Sequence, residues 1–308
     1  MRVYSEGLKT GDDLLAVLFG IIMSIGSILG GFMAMGGKVA VIWQPVEYVI
    51  ICGIAFGIFI VANPVPVLKQ TGGAIVDAVS NRAPKRALFL EILGVLYSLM
   101  RDLKAKPRNE VEAHVDNPEE SAIFQQSPSI LNDKQLLQFI CDYVRLLLIG
   151  NARGFEIEAL MDQEIATIRK EKMKPALALG DLADALPAIG IVAAVLGIVK
   201  AMGAIDQSPE ILGGLIAAAL IGTFLGIFAS YAIFSPLAGK IKTVREKQMQ
   251  PYIIAKQALL AYINGAMPQI ALEHGRKPDA QSYRPTIDEV ESEALGGGLD
   301  DLELANDR

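Results

Sequence analysis

Apolar and polar positions divide the chain into four long hydrophobic stretches around a polar middle. Residues 14–35 carry no charge, and residues 46–65 carry only Glu47, at their start. Residues 186–205 hold Lys200 near their end, and residues 211–235 hold no charged side chain. A helix rises about 1.5 Å per residue, so roughly 20 apolar residues cross the hydrocarbon core of a bilayer. The pattern predicts four transmembrane helices paired as two hairpins, 14–66 and 186–235. Gly36-Gly37 and Gln44-Pro45 turn the first, and Asp206-Gln207-Ser208-Pro209 turns the second. Residues 1–13 form a short stub whose Glu6, Asp12 and Asp13 do not match the basic start of a cleaved signal peptide.

The middle segment, 67–185, reads as helices. Residues 84–106 place Leu88, Ile92, Leu96, Leu99 and Leu103 at helical spacing, with Pro84 suited to a first turn. Loop residues punctuate 117–121 and 127–129. Asn132 or Asp133 offers a cap for a helix running to about 149, with Leu136, Ile140, Val144 and Leu147 on one face. After a break at 150–154, residues 155–174 are helical again, carrying Ile157, Leu160, Met161, Ile165 and Ile168. Residues 236–275 continue downward from the fourth span as a basic helix with a bend point at Pro251, and the acidic stretch 276–308 reads as disordered. No strand pattern is present. The expected fold class is all-α: an integral membrane protein with four transmembrane helices and a helical cytoplasmic domain.

Composition agrees with a membrane location. Hydrophobic residues make up 52% of the 308 positions, and the mean hydropathy is +0.39. Of the two short connections between paired spans, 36–45 contains one lysine, Lys38, and the one after Lys200 contains none. Basic residues are retained on the cytoplasmic side, so both termini and the middle segment are expected in the cytoplasm of an inner-membrane protein. The net charge of −6 and the absence of a basic stripe argue against nucleic acid. Cys52 and Cys141 fall in different compartments of this topology, and with His114 and His274 they make no metal-ligand cluster, so no cofactor is expected.

Three glycine pairs sit four apart within spans: Gly26 and Gly30, Gly53 and Gly57, Gly222 and Gly226. This spacing lets membrane helices approach closely, either inside one chain or between chains, and spacing alone leaves both open. No span has a central Asp, Glu, His or Arg. Such a residue costs about 2.5–3.5 kcal/mol on insertion scales and persists where ions move. If the chain conducts protons, the carrier carboxylate therefore belongs to another polypeptide. Pro187 and Pro236 stand at the cytoplasmic ends of the last two spans. Pro187 suits a first helical turn, whereas Pro236 would break or kink its helix. Thr223, near the middle of the fourth span, could line a wet path or bond back to its own helix. Asp181 and Asp184 are the clearest acid pair near the interface, and they read as a polar rim, so no enzyme activity is expected.

Longer motifs carry a resemblance. The run 219–228, Ala-Leu-Ile-Gly-Thr-Phe-Leu-Gly-Ile-Phe, followed by Pro236, resembles the signature of the MotA family of flagellar motor stator proteins, within the MotA/TolQ/ExbB superfamily. Gly180-Asp181, the run 186–197 and the run 154–162, Gly-Phe-Glu-Ile-Glu-Ala-Leu-Met-Asp, resemble the same family. The resemblance implies a stator subunit that conducts protons and converts their flow into torque on the rotor protein FliG. It implies a ring of five copies around a MotB-type partner, a single-span peptidoglycan-binding protein carrying the proton-accepting Asp. Pro187 and Pro236 match the coupling prolines, and Thr223 matches the channel-facing threonine. Ala194 falls where sodium-driven relatives carry threonine, which favours protons. Counting back from Asp116-Asn117-Pro118 puts the rotor-binding charges at Lys104 and Glu112, with Arg101 and Arg108 as alternatives in the same patch. An ExbB/TolQ-type energiser of outer-membrane processes is the nearest rival, and a passive scaffold the blandest.

Overall fold

The computed structural model describes residues 10–150, 153–278 and 284–290. Among them every regular element is helical: α1 (Thr10–Ala34), a 3₁₀ turn (Val39–Val41), α2 (Pro45–Ala62), α3 (Val65–Val79), α4 (Arg86–Ala105), α5 (Arg108–Asp116), α6 (Ala122–Gln125), α7 (Pro128–Asn132), α8 (Lys134–Ile149) and α9 (Gly154–Met202). Then follow α10 (Pro209–Phe228), a π-helical segment (Ala229–Phe234), α11 (Ser235–Lys247), α12 (Gln250–Ile263), α13 (Pro268–Arg276) and the short α14 (Ile287–Glu289). Among the described residues four helical stretches are long and apolar enough to cross a membrane.

Two compact units form. The membrane unit takes the chain up to Arg82 together with Lys172–Arg245. It holds the spans and a layer beyond them that the apolar pattern does not reveal. After α2, Asn63 and Pro64 are extended, and α3 starts afresh with Val67, Thr71, Ala74 and Ala78 buried on one face. Ala74 and Ala78 join a core with Ile51 and Ala55 of α2, Leu179, Leu182 and Leu186 of α9, and Ile241 of α11. Arg245 closes this layer with an ion pair to Asp77 at 3.2 Å. The compact membrane unit thus includes parts of the segments 67–185 and 236–275.

α9 is continuous where the sequence predicts two helices. It passes through Pro175 and Pro187 without a break. Proline costs a backbone hydrogen bond, but the apolar face flanking each site stays buried through Ala176, Leu179, Leu186 and Ile189. Pro236 does not break its helix either. The preceding six residues widen into a π segment in which the Ser235 N–H donates to the Ser230 carbonyl, five residues back. A single π turn absorbs the misfit that a proline introduces into an α-helical ladder.

The second unit comprises Ala83–Glu171 and the chain from Glu246 onward. Its core is built from α4, α8, the first part of α9, α12 and α13, with Ile92, Leu96, Ile140, Val144, Ile157 and Leu259 all buried. Phe139 meets Tyr252 edge-on, with centroids 5.3 Å apart. Asp133 caps α8 by accepting the Leu136 N–H at 3.1 Å, and Gly150 ends that helix at φ +77°. The stretch between α4 and α8, read as a loop, contains three short helices. Pro251 is not a bend: Gln248 and Met249 form a turn, and Pro251 occupies the first turn of α12. The disordered tail expected from 276 fails for residues 284–290. Val290 is buried in the core, Arg86 pairs with Glu289, and Thr286 caps α14. The remainder of that expectation, and most of the stub 1–13, lie outside the described residues.

Candidate ion path and docking patch

Backbone contact between α9 and α10 defines the centre of the membrane unit. A Cβ on Gly226 would lie 2.5 Å from the Leu186 carbonyl oxygen and 2.8 Å from the Gly190 Cα. A Cβ on Gly190 would lie 2.8 Å from the Gly222 carbonyl oxygen, and one on Gly197 2.8 Å from the Ala219 Cβ. The pair Gly222 and Gly226 therefore packs within the chain, against Leu186, Gly190, Ala193 and Ala194, and Gly197 packs against Ala219. Added Cβ atoms on Gly26, Gly30, Gly53 and Gly57 meet nothing within 4 Å. The same four-residue spacing serves an intrachain crossing in one place and open helix faces in two others.

The four residues expected on the ion path bracket this crossing. Pro187 follows Leu186, whose carbonyl touches Gly226, and is half-buried. Ala194 is buried, its backbone N 3.3 Å from where a Gly222 Cβ would stand. Thr223 is half-buried beside Gly222. Pro236 is exposed, just beyond the π segment. Pro187, Ala194 and Thr223 thus sit along one helix-helix contact, and Pro236 lies about two turns below Gly226. Asp181 and Asp184 are both exposed.

The four residues expected on the docking patch lie in the second unit at the end of α4 and on α5, and all are exposed. They are not equivalent. Asp102, buried at 2% exposure, accepts from Arg101 Nε at 3.3 Å and from Lys106 Nζ at 2.8 Å. His114 of α5 brings Nε2 to 3.9 Å from the same carboxylate, while its Nδ1 lies 2.8 Å from the Ser121 hydroxyl. Arg145 of α8 holds the end of α5 by donating to the Asp116 carboxylate at 3.0 Å and to the Val115 carbonyl at 2.7 Å. Arg101 is thereby tethered. Lys104, Arg108 and Glu112 make no hydrogen bond or ion pair among the described residues.

Charges elsewhere in this unit brace the packing. Lys256 of α12, 8% exposed, reaches Asp162 at 2.6 Å and Glu158 at 3.7 Å, so the acids of the run 154–162 hold a buried ammonium. Arg276 donates two bonds to Glu273, at 2.8 and 2.7 Å, and holds that carboxyl below the usual carboxylate range. Burial pushes the Cys141 thiol up to about 11.

Comparison with known proteins now decides the family. Residues 18–107 match the family described as Motility protein A N-terminal, and residues 132–252 match the MotA/TolQ/ExbB proton channel family. The chain is 40% identical to Motility protein A of Escherichia coli strain K12 over 275 residues, covering 89% of this chain and 93% of that protein. The chain belongs to the motility protein A family. It is 41% identical to Motility protein A of Salmonella typhimurium over 89% of this chain and 93% of that one. It is 34% identical to Chemotaxis protein LafT of Vibrio parahaemolyticus over 88% and 95%. Among solved structures it superposes on C. jejuni MotAB with a TM-score of 0.66 at 18% identity, covering 87% of this chain and 98% of that one. The flagellar MotAB stator complex from Bacillus subtilis gives 0.63 at 19% identity, covering 89% and 98%. This kinship favours the motility protein A reading over an ExbB/TolQ-type energiser. Neither Asp102 nor the π segment is visible as a motif in the sequence; an acid within one turn of Arg101 and Lys106 is the only sign of the first.

Proposed function

We propose that the chain works as one copy of a homo-oligomeric ring, a pentamer, around a MotB-type partner that supplies the proton-accepting Asp. Both termini and the second unit lie in the cytoplasm. Protons moving inward neutralise the partner's Asp, and each event is worth about 2.3 kcal/mol per charge per 100 mV of membrane potential. The carrying observation is the α9–α10 crossing: backbone meets backbone beside Pro187, and a π segment leads into Pro236. A backbone contact without side-chain padding transmits small displacements, and a π turn gives the fourth span a place to change its winding. Ala194 keeps the path narrow and apolar, as suits protons, and Thr223 lends the one hydroxyl near mid-span. Lys104, Arg108 and Glu112 face the rotor protein FliG as unpaired charges ready for partners of opposite sign.

The test is a deletion strain scored for swimming, with flagella counted by electron microscopy. Flagellated but paralysed cells, rescued by the wild-type chain and not by a normally abundant Pro187→Leu protein, are the expected result. Cells that still swim, or that lose outer-membrane energisation instead, would overturn the reading.

A further inference from the structure

Inside the membrane unit, α1, α2 and α10 enclose an apolar cavity of about 380 Å³. Ile28 of α1 and Val39 of the 3₁₀ turn line it, with Trp43 just before α2 and Cys52 within that helix. Phe224 and Phe228 of α10 stack on another side, with ring centroids 5.9 Å apart. Ala229 and Ile233 of the π segment belong to the same wall, so an occupant touches the segment that leads into Pro236. Trp43 tilts against Tyr48 with centroids 5.6 Å apart, and both rings line the cavity. Ile25, Val39 and Trp43 are exposed, so the cavity opens to its surroundings.

Water has little to hold it there. The indole N–H of Trp43, the Tyr48 phenol and the Cys52 thiol are the polar side-chain groups of the wall. They are too few for the several waters that would fit, since an ordered water takes about three hydrogen bonds. An empty space forfeits dispersion contacts at every lining atom. In a bilayer the filler at hand is an acyl chain. A neighbouring helix, about 10 Å across, does not enter a space of this size. A second chain has another face of α1 to approach: Gly26 and Gly30, where an added Cβ meets nothing, lie about a third of a turn from Ile25, Ile28 and Leu29. Charge adds a second selection. Lys38, next to Val39, is exposed and makes no side-chain hydrogen bond or ion pair among the described residues, and no acid lines the cavity.

We propose that this cavity is a phospholipid site: one acyl chain of a bilayer lipid lies between α1, α2 and α10, with its anionic phosphate group held at Lys38. The Trp43–Tyr48 pair suits such a place, because indole and phenol rings favour the boundary between acyl chains and headgroups. The inference needs the membrane unit alone and stands apart from the ion path. Its consequence falls on the π segment, whose Ala229 and Ile233 the acyl chain packs against.

The test uses the full chain with its MotB-type partner, stripped of lipid in a sterol-based detergent. Cys52 is the reporter, since it lines the cavity and is exposed, whereas Cys141 is buried. Its alkylation by N-ethylmaleimide is followed by mass spectrometry. The rate should fall about tenfold with phosphatidylglycerol at roughly ten times its Kd, because only the empty site reacts. Glycerophosphoglycerol, the headgroup without acyl chains, should not protect. Lys38→Gln should weaken phosphatidylglycerol about fivefold and leave phosphatidylcholine nearly unchanged. Ala229→Phe fills the cavity, so alkylation should be slow without lipid and indifferent to it. Trp43, the one tryptophan of the chain, gives a second reading with the cavity unaltered. Its emission, taken as the difference between wild-type and Trp43→Phe complexes, should be quenched saturably by phosphatidylglycerol with brominated acyl chains. Cys52 alkylation at one rate with and without lipid would overturn the proposal. So would a Cys52 that stays unreactive after lipid removal with Trp43 unquenched, which would mean that a neighbouring chain plugs the cavity. Unchanged phosphatidylglycerol affinity in Lys38→Gln would overturn the placing of the headgroup.

Discussion

Replacing Gly226 by alanine puts a methyl group where the α9–α10 crossing leaves no space. Its ideal Cβ stands 2.5 Å from the Leu186 carbonyl oxygen, 2.8 Å from the Gly190 Cα and 3.0 Å from the Gly190 N, where ordinary contacts begin at 3.4 Å. The shortfall is about 0.9 Å, and all three neighbours are backbone atoms, so no rotamer change relieves it. The helices must separate by roughly that distance. A gap of about 0.5–1 Å forfeits a quarter to a half of each dispersion contact along the crossing. Overpacking of this kind costs about 1–3 kcal/mol, and the backbone character of the clash puts it toward the upper end. For a unit of this size that is a fall in melting temperature of roughly 5–10 °C. Gly57→Ala is the control, because nothing lies within 4 Å of its added Cβ. Thermal unfolding of the detergent-solubilised chain should show the drop for Gly226→Ala and none for Gly57→Ala. Motility should fall with Gly226→Ala, since the displaced atoms flank Pro187. A Gly226→Ala protein that melts within about 2 °C of wild type would refute the crossing as described. A Gly57→Ala protein that is sound alone but fails in the assembled complex would assign the α2 glycines to contacts between chains.

Other consequences follow from side chains. Lys104→Glu should reduce stall torque in a bead assay at normal stator abundance, whereas Arg101→Ala should leave torque nearly unchanged, because Asp102 already occupies Arg101; equal effects would contradict that distinction. Asp162→Ala leaves the Lys256 ammonium buried with only Glu158 at 3.7 Å, so it should destabilise the second unit by about 1–3 kcal/mol in denaturant titration, and Lys256→Met by less. The Cys141 thiol is held neutral, with its pKa moved from 9.0 to about 11. Its folded pKa is raised, so its contribution is fully present below about pH 9 and is lost as pH climbs toward 11. That loss is about 2–3 kcal/mol, and Cys141→Ala should lack it when stability is followed against pH. Alkylation of Cys141 should likewise wait for unfolding.

The spans were legible because hydrocarbon demands runs of apolar residues that no soluble context needs. The core of the second unit was legible for a related reason: Leu88, Ile92, Leu96 and Leu99 keep helical register along α4, and Asp133 stands where a cap belongs. What escaped depends on contacts distant in sequence. α3 follows α2 after only Asn63 and Pro64, and its buried face, Val67, Thr71, Ala74 and Ala78, packs against residues of α2, α9 and α11 that lie far away in sequence. The continuity of α9 through Pro175 and Pro187 is a tertiary override of a local penalty, since neighbouring helices keep the flanking turns buried. Pro236 was located but its consequence was not, because a π segment is set by ladder geometry and not by residue type. The positions expected on the ion path came from resemblance; Pro187, Ala194 and Thr223 lie along one helix crossing, and Pro236 lies beyond it, after the π segment. The patch residues looked alike in sequence; the buried Asp102, which separates the tethered Arg101 from the unpaired Lys104, became visible only with coordinates. Glu47 likewise looked like a rim residue until its burial was seen.

On the proposed function, this chain shapes a proton path whose mid-membrane carrier is lent by a partner. The most direct measurement is proton influx into energised cells lacking their own stators, expressing the chain alone, the chain with its MotB-type partner, or the chain with a partner whose span Asp is changed to Asn. Rotation-coupled influx only in the second case is the predicted result. Equal influx with the chain alone, or with the Asn partner, would contradict the account.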